Sequence, residues 1–502
     1  MTRILLRSGK DPFTPVVAES TLTQDVFNSN SGNYLFQHAI WKALATPGTD
    51  IVSNGTLSER ELPERGDAER INEQFDSFVI PLANAFRPDF AKRLVKLTEL
   101  IKDLTVPVTV IGVGAQAGVA MSTEGLTGMN DTVKAFVGAI LDRSASIGVR
   151  GEFTKRYLTE LGFPASSVDI IGCPSLFLHG PDLAIHKRVE AITADSPMVL
   201  NLTPEVPGIG AFSTTQAERH PNLTYIGQDA NDLRLLLWGV PFPHVDDELT
   251  PTHMGHPLYQ SDRYRLFLDT WTWYDFLATQ DFTYGTRFHG NVAALLARTP
   301  AMLLAHDSRT LELAAYHEMP HRIVSEFTED IQATELYDNV DFSAFNRAMP
   351  DRFARYVAFL ERNGLDHIWQ DGKANPSFDA QVAAVTFPPV VKTLVSDNGT
   401  EVATRLRWLR DAIIFDGQQH KQAYKHPFPH PPRRDPATAF HLADQAMKDK
   451  IAAQEREIAD LSARLRRLEH RTLFGLVAGV GRVTKRKLKG SKRPQLPPGR
   501  RQ

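Results

Sequence analysis

Short apolar runs alternate along the chain with stretches in which apolar residues recur every three to four positions. A short apolar run predicts a buried strand, and the longer period predicts an amphipathic helix. In the first half this pattern predicts strands over residues 77–81, 108–113, 145–149 and 169–172. Helices are predicted over residues 34–44, 89–104, 132–144 and 153–161. The alternation is typical of a doubly wound α/β domain, which we place over residues 1–190.

The alternation starts again after a loop around residues 179–181. Strands are predicted over residues 198–202, 223–227, 282–284 and 301–305, and helices over residues 262–277 and 290–297. These elements predict a second α/β domain over residues 191–340. Two similar halves imply a cleft between them, and ligands of open α/β sheets bind outside the carboxyl ends of the strands. Chemistry is therefore expected at the strand-to-helix junctions.

The remainder of the chain follows a different pattern. Residues 341–425 are predicted to form a helical extension, and residues 426–436 form a linker rich in Pro, His and Arg. Apolar residues at every seventh position predict a short coiled coil over residues 437–470, which can mediate self-association. Residues 471–502 combine an apolar cluster with a basic run. This tail predicts either peripheral contact with an anionic membrane or a solvated, disordered segment.

Composition narrows the class of protein. The 502 residues exceed what one hydrophobic core usually covers, which agrees with two domains. A net charge of −3 argues against general nucleic-acid binding. Cys173 is the only cysteine, so an intramolecular disulfide and a cysteine-based metal cage are excluded, and we expect a small buried residue there. No metal-ligand spacing is recognised, and we expect neither a metal nor another cofactor.

The expected location of the protein is the cytoplasm. Residues 1–10 lack the long apolar stretch of a signal peptide. No uncharged apolar run in the sequence is long enough to span a bilayer. The basic tail over residues 471–502 is the one segment that could contact the inner face of the cell membrane.

The junction over residues 281–296 carries the most candidate chemistry. A strand is predicted to end at Gly285 and a helix to begin near Gly290, with Arg287 and His289 in the turn between them. Residues two apart in an extended segment face the same side, so both side chains can address one ligand at the positive end of the helix. They supply a fixed cation and a group that exchanges protons near neutral pH. The alternative is that Arg287 pairs with a carboxylate across the domain interface and His289 caps the helix.

Two further junctions repeat this design. Arg150 follows a predicted strand, and Glu152 lies in the first turn of the next helix. Arg150 is either an anion clamp, since guanidinium matches carboxylate and phosphate geometry, or the ion-pair partner of Glu152. Gly112, Gly114 and Gln116 follow another strand, where glycines let the backbone approach a ligand closely. A plain tight turn is the alternative for these three residues.

Polar residues mark the starts of two more helices. Gly32 and Asn33 precede the first predicted helix, and Asn33 is a candidate N-cap. His306, Asp307 and Ser308 end a strand where a helix begins. Asp307 or Ser308 is expected to cap that helix. His306 either faces the cleft or is a hydrogen-bonded structural histidine.

Several of these motifs occur together in one known family. The motifs are Gly285-Thr-Arg-Phe-His-Gly290 with Ala293-Ala-Leu-Leu-Ala297 and Pro300, Asp307-Ser-Arg309, Val149-Arg-Gly-Glu152, Gly112-Val-Gly-Ala-Gln116 and Ser31-Gly-Asn33. In this combination, over about residues 25–335, the chain resembles the polysaccharide pyruvyl transferase family. The resemblance implies a fold similar to that of two-domain glycosyltransferases, with two Rossmann-like halves that face each other.

The resemblance also implies an activity. Characterised members transfer the enolpyruvyl group of phosphoenolpyruvate to two sugar hydroxyls, which gives a cyclic pyruvate ketal and phosphate. By the same resemblance His289 is the candidate catalytic acid/base, Arg287 is its neighbour on the donor, and Arg150 binds the donor carboxylate or phosphate. The expected partners are phosphoenolpyruvate and a carbohydrate or lipid-linked glycan acceptor. The further residues expected to contact substrate are Gly285, Thr286, Gly112, Gly114, Gln116, Gly32, Asn33, His306, Asp307 and Ser308.

Two other functions stay open at the level of sequence. A nucleotide-sugar glycosyltransferase uses the same architecture, and fold does not determine function. A non-catalytic glycan-assembly scaffold would account for the heptads and the basic tail. Binding of a nucleotide sugar in place of phosphoenolpyruvate would favour the first, and a His289→Ala variant with full biological function would favour the second.

Overall fold

The fold comes from a computed structural model that describes residues 1–59, 65–326 and 330–396, together with residues 402, 403, 405, 406, 454 and 456. The predicted linker and tail lie outside the described residues, as does the predicted coiled coil apart from residues 454 and 456. Self-association and membrane contact through these segments stay predictions.

The first half of the chain is built around a parallel sheet. Its strands are β1 (Thr2–Leu6), β2 (Thr49–Ser53), β3 (Ser77–Pro81) and β4 (Val108–Ile111), in the order β2-β1-β3-β4. A parallel pair, β5 (Ile147–Val149) and β6 (Val168–Ile170), is joined to the end of β4 by a bridge between Val113 and Val149. The helices of this half are α1 (Ala18–Gln24), α2 (Asn33–Leu44), α3 (Arg65–Gln74), α4 (Ala91–Lys102), α5 (Asn130–Leu141) and α6 (Glu152–Glu160).

The second half has its own sheet. Its strands are β7 (Met198–Asn201), β8 (Leu223–Ile226), β9 (Tyr264–Leu266), β10 (Phe282–Gly285), β11 (Ala301–Ala305), β12 (His321–Ile323) and β13 (Val391–Lys392). Their order is β12-β11-β10-β7-β8-β9-β13, and every pairing is parallel except that of β13 with β9. The helices between them are α7 (Ile209–Arg219), α8 (Ala230–Trp238), α9 (Pro257–Gln260), α10 (Thr270–Leu277), α11 (Phe288–Leu296) and α12 (Ser308–His317).

After β12 the chain crosses back to the first half, and it returns to the second sheet only at β13. The helices here are α13 (Ala333–Asp338), α14 (Ser343–Arg362) and α15 (Ser377–Ala383). Beyond α14, the Asn363 side chain accepts a hydrogen bond from the backbone N–H of Ser146 at 3.1 Å. In α15, Phe378 packs edge-on against Phe13, with ring centroids 5.2 Å apart. The described part of the predicted helical extension therefore packs on the first half before it ends in β13.

Most predicted elements of the two sheets are present, and several others were missed. The predicted helix over residues 262–277 is wrong at its start, because residues 264–266 form β9 and α10 begins only at residue 270. A short apolar run fits either a strand or a helix turn, so its period does not decide between them. Four further strands were not predicted, namely β1, β2, β12 and β13. The change of sheet falls between β6 and β7, and the domain boundary near residue 190 stays a prediction.

The two halves share one hydrophobic interior. A single cluster of buried side chains includes Leu6 of β1, Ile40 of α2, Leu200 of β7 and Val292 of α11. All residues of β4 and β10 are buried, as is typical of parallel strands covered by helices on both faces. The fold class is α/β, with two parallel sheets whose strand ends meet at the boundary between the halves.

Candidate active site

The junction between β10 and α11 is held by its contacts with the end of β7. Gly285 has φ +149°, and a Cβ there would lie 1.8 Å from the backbone oxygen of Asn201, so only glycine fits. Thr286 donates its backbone N–H to the Asn201 oxygen at 2.8 Å and accepts a bond from the N–H of Thr203 at 2.6 Å. Both predicted site residues therefore position the junction, and neither lines the cavity described below.

Arg287 is the N-cap residue of α11 and is tied down on three sides. Its backbone N–H donates to the side-chain oxygen of Asn201 at 3.1 Å, and its Nε donates to the backbone oxygen of Leu202 at 2.8 Å. Its terminal nitrogen forms an ion pair with Asp229. Asp229 precedes α8 in the same half, so the predicted ion pair across the domain interface is wrong. Burial acts to lower the pKa of Arg287, but Asp229 and Asp232 outweigh it and raise the pKa. The guanidinium is therefore charged throughout the physiological range.

His289 lies in the first turn of α11. The helix begins at Phe288, two residues earlier than predicted, so His289 is helical and does not lie in a preceding turn. The start of α2 comes close to it, because a Cβ on Gly32 would lie 2.8 Å from the His289 Cβ. The imidazole Nε2 is 3.8 Å from the sulfur of Cys173, which is buried as predicted.

The electrostatic surroundings keep the His289 imidazole neutral. Burial lowers its pKa well below the ordinary value, and the charges of Arg150 and Arg309 lower it further. In the absence of a ligand, His289 is therefore a base at neutral pH. An anion bound beside it would reduce this repulsion and raise the pKa.

Arg150 follows β5 and is 3% exposed. Its Nε donates to the backbone oxygen of Gly112 at 3.0 Å, and a Cβ on Gly114 would lie 2.6 Å from its Cδ. The two glycines thus make room for the arginine and hold it. Burial lowers the pKa of Arg150 to about 10, which leaves the guanidinium charged at neutral pH.

The predicted alternative for Arg150, an ion pair with Glu152, is not formed within the described part of the chain. A second carboxylate at the start of α6, beside that of Glu152, comes from Glu312 of α12 in the second half. Glu312 accepts bonds from the backbone N–H of Thr154 at 2.7 Å and from its hydroxyl at 3.0 Å. Sequence reasoning missed Glu312, because nothing in the spacing links it to a helix 158 residues earlier.

Three of the predicted residues, Gly32, Asn33 and Gln116, hold the backbone around the site in place. Gly32, not Asn33, is the N-cap residue of α2, so that prediction is wrong. Asn33 is the first helical residue, and its amide donates to the backbone oxygens of Phe27 and Asn28 at 3.1 and 3.2 Å. Gln116 accepts a bond from the Asn84 amide at 2.5 Å.

The start of α12 joins the two halves. Asp307 is the N-cap residue, as expected, and accepts from the backbone N–H of Thr310 at 2.9 Å. The Ser308 hydroxyl accepts from the N–H of Ala117 in the first half at 2.8 Å. The Nε2 atom of His306 lies 3.8 Å from a carboxylate oxygen of Asp307. None of His306, Asp307 and Ser308 lines the cavity, whereas their neighbour Arg309 does.

These junctions enclose a cavity of about 270 Å³ between the halves. Of the predicted site residues, it is lined by Arg150, Arg287, His289 and Asn33. The cavity is also lined by four arginines that sequence reasoning did not assign to the site, namely Arg7, Arg87, Arg93 and Arg309. Only Arg309 gave a signal, since it ends the Asp-Ser-Arg motif. Arg87 follows β3, and Arg93 lies in α4. No recognised motif includes either residue.

The charge of this cavity is strongly positive. Arg7 is paired with Glu59, Arg287 with Asp229, and Arg309 with Asp307 at 3.2 Å. By contrast, Arg87, Arg93 and Arg150 form no ion pair with any described carboxylate. Unpaired, partly buried guanidinium groups are costly, and a bound anion would offset that cost, so the cavity is a candidate anion site. Among the described residues, no cluster of His, Cys, Asp and Glu could hold a metal ion.

The sequence matches the profile of the family described as polysaccharide pyruvyl transferase over residues 30–308, which is more than half of the chain. The chain belongs to this family. It is therefore a transferase, and the activity that the family indicates is pyruvylation of a polysaccharide. The cavity lies within the matched part, since His289 and Arg150 both fall in it. No curated protein matches the chain.

The fold of this family member is also similar to several solved structures. UDP-GlcNAc 2-epimerase from Neisseria meningitidis, bound to UDP-GlcNAc, is 10% identical with a TM-score of 0.40, over 72% of this chain and 100% of that chain. Another UDP-N-acetylglucosamine 2-epimerase is 11% identical with a TM-score of 0.39, over 74% and 98%. HepE from Anabaena, in complex with UDP and glucose, is 11% identical with a TM-score of 0.36, over 72% and 96%.

Within the part of the chain that the structure describes, no helix combines the length and apolar character needed to cross a bilayer.

Proposed function

We propose that this family member takes phosphoenolpyruvate as donor and forms a pyruvate ketal on two hydroxyls of a sugar in a polysaccharide or glycan precursor. The observation that carries the proposal is the excess of arginine charge around one neutral imidazole. Arg87, Arg93 and Arg150 line the same cavity as His289 and lack carboxylate partners among the described residues. Phosphoenolpyruvate carries both a carboxylate and a phosphate, so its charge complements theirs.

Arginines in this cavity can stabilise the charge that the reaction moves. The reaction breaks the bond between C2 of the donor and the phosphate oxygen. Negative charge then accumulates on the departing phosphate. Guanidinium groups that the fold already holds in the partly buried cavity can stabilise that charge without a rearrangement of the site. This role does not require a metal. Arg150 is the best placed for a donor carboxylate or phosphate, because only its Nε is engaged, by Gly112. Arg287 is less available, since Asp229 holds it.

His289 is the group that moves protons in this proposal. The bound anion raises its pKa, so the imidazolium can protonate the donor methylene carbon. The π electrons of the donor form the new C–H bond and leave C2 electrophilic. The resulting neutral imidazole accepts the proton of the sugar hydroxyl as its oxygen attacks C2, which restores the imidazolium. One acceptor proton thus replaces the proton given to the new methyl group.

The complete reaction balances without a redox partner. Two acceptor O–H bonds break and two C–O bonds form at the former C2. The bond between C2 and the phosphate oxygen breaks, and the second acceptor proton leaves with hydrogen phosphate. The products are a ketal that keeps the carboxylate, and inorganic phosphate.

Donor binding tests this proposal directly. Isothermal titration calorimetry of the full chain should show binding of phosphoenolpyruvate and weak or absent binding of UDP-glucose and UDP-N-acetylglucosamine. Arg150→Gln should weaken phosphoenolpyruvate binding. Arg234→Gln, which removes an exposed charge that does not line the cavity, should leave it unchanged. Tight binding of a nucleotide sugar with no binding of phosphoenolpyruvate would overturn the proposal in favour of glycosyl transfer.

A further inference from the structure

Arg87 presents a charge that the described part of the protein does not neutralise. It follows β3 in the first half and lines the cavity. Its Nε is buried without a hydrogen-bond partner, and it forms no ion pair with a described residue. A buried donor of this kind costs free energy unless a ligand accepts its hydrogen bond. The neighbouring Arg93 differs, because its guanidinium lies over the ring of Phe90, 5.4 Å from the ring centroid.

Arg309 faces the same cavity from the second half. It is the second residue of α12, and its Nε is also buried without a partner. One terminal nitrogen lies 3.2 Å from the Asp307 carboxylate, and the side chain is 27% exposed. The contact with Asp307 therefore holds the Arg309 side chain in place. Its other guanidinium N–H groups can still donate to a ligand.

The two arginines repel each other across the boundary between the halves. Burial lowers the pKa of Arg87, and the charge of Arg309 is the next largest cause that lowers it. The protein holds this like-charged pair in place by the Ser308–Ala117 bonds, which fix the start of α12 against the first half. An anion between the two side chains would turn their repulsion into attraction.

We propose that Arg87 and Arg309, one from each half of the chain, hold the phosphate group of the donor, while Arg150 binds its carboxylate. Two guanidinium groups match a phosphate, which has a double charge and several terminal oxygens. One guanidinium suffices for a carboxylate, and Arg150 is the more deeply buried, with its Nε fixed by Gly112. His289 lines the same cavity as Arg150 and Arg309, whose charges lower its pKa further than burial alone does. The inference rests on the proposed function for the identity of the donor.

Inorganic phosphate and pyruvate separate the two positions, because each carries one of the two anionic groups. By calorimetry on the full chain, Arg87→Gln and Arg309→Gln should each weaken inorganic phosphate binding at least about tenfold and leave pyruvate binding unchanged. Arg150→Gln should do the reverse. Arg234→Gln is the matched control and should bind both probes as the unaltered chain does.

Thermal unfolding provides a second readout that does not depend on activity. Arg87→Gln removes a repelling charge without breaking an ion pair, so it should unfold at an unchanged or higher temperature without phosphate. It should also lose the stabilisation that phosphate gives to the unaltered chain. Phosphate affinity unaffected by both Arg87→Gln and Arg309→Gln would overturn the assignment.

The two proposals can fail separately. If phosphoenolpyruvate does not bind but inorganic phosphate binds through Arg87 and Arg309, the proposed donor is wrong and the anion position stands. If phosphoenolpyruvate binds and neither substitution affects it or inorganic phosphate, the donor stands and the anion position is wrong.

Discussion

At the scale of single residues, the site is defined by which arginines are neutralised and which are not. Arg287 forms an ion pair with Asp229, so its charge is partly neutralised within the fold and is less available to a ligand. Arg150 keeps its charge in a buried position and, with Arg309, lowers the pKa of His289. The imidazole is therefore a base in the empty site, and a bound anion would make it a better acid.

The role of His289 is testable by substitution. His289→Gln should reduce pyruvyl transfer by roughly a hundredfold to ten-thousandfold, which is the usual contribution of general acid–base catalysis. The side chain lies at the cavity, makes a long polar contact to Cys173 and packs against the ring of Phe36, with ring centroids 5.6 Å apart. Glutamine can keep part of this packing, so the unfolding temperature should change little. Turnover is measured by phosphate release with an acceptor glycan. A rate close to that of the unaltered chain would remove His289 from the mechanism.

Arg150 provides a second test. Arg150→Lys keeps the charge but loses both the bond to Gly112 and the planar fork that matches an oxyanion. We expect donor binding to weaken by about tenfold or more. Calorimetry gives the affinity, and melting curves give the stability. Unchanged donor affinity together with a lower unfolding temperature would mean that Arg150 is a structural residue.

At the scale of elements, the strand-to-helix junctions place the reactive groups. The end of β10 lies against the end of β7 so closely that Gly285 leaves no space for a side chain. This contact fixes the start of α11, and with it Arg287 and His289. In the first half, Gly112 and Gly114 do the same for Arg150.

The close approach at Gly285 predicts a large effect of one methyl group. Gly285→Ala would place a Cβ 1.8 Å from the Asn201 oxygen at a φ of +149°, so the β10–β7 contact must open. We expect destabilisation of more than about 1 kcal/mol and loss of activity. Gly118→Ala is the control, since a Cβ there would meet nothing within 4 Å. Equal urea midpoints for the two variants would contradict this account.

At the scale of the whole molecule, α12 connects the halves and borders the cavity. Its residues Ser308 and Glu312 bond to Ala117 and Thr154 of the first half. Glu312 is buried, and this burial raises the pKa of its carboxyl from 4.5 to about 7. The contact between the halves is therefore sensitive to pH.

The sign of that sensitivity follows from the raised pKa. Above pH 4.5 Glu312 is ionised in the unfolded chain but still binds a proton in the folded one, so stability falls as pH rises to about 7. The loss is on the order of 3 kcal/mol. Glu312→Gln cannot titrate and can still bond to Thr154, so it should lack this part of the pH dependence. The measurement compares urea unfolding of both chains at pH 5 and about pH 8, and parallel profiles would contradict the prediction.

The sequence by itself determined the α/β class, because the alternation of short apolar runs with helical periods is a local property of the chain. It also offered Arg150, Arg287 and His289 as candidate site residues, since each follows a strand within a recognisable motif, and all three line the cavity. Tertiary structure decided what those residues touch. Asp229 reaches Arg287 because β8 and β10 end at the same edge of the second sheet, and Glu312 reaches Thr154 because α12 packs on α6 of the first half.

The unpaired charge of Arg87 and its approach to Arg309 were likewise beyond the reach of sequence. No spacing connects residues from different halves, and whether an arginine is neutralised depends on every carboxylate folded near it. The same holds for β9, whose short apolar run fits a strand or a helix until its pairing with β8 is known. Local pattern thus determined the kinds of elements and the motif residues, and packing determined the partners, the charges and the cavity.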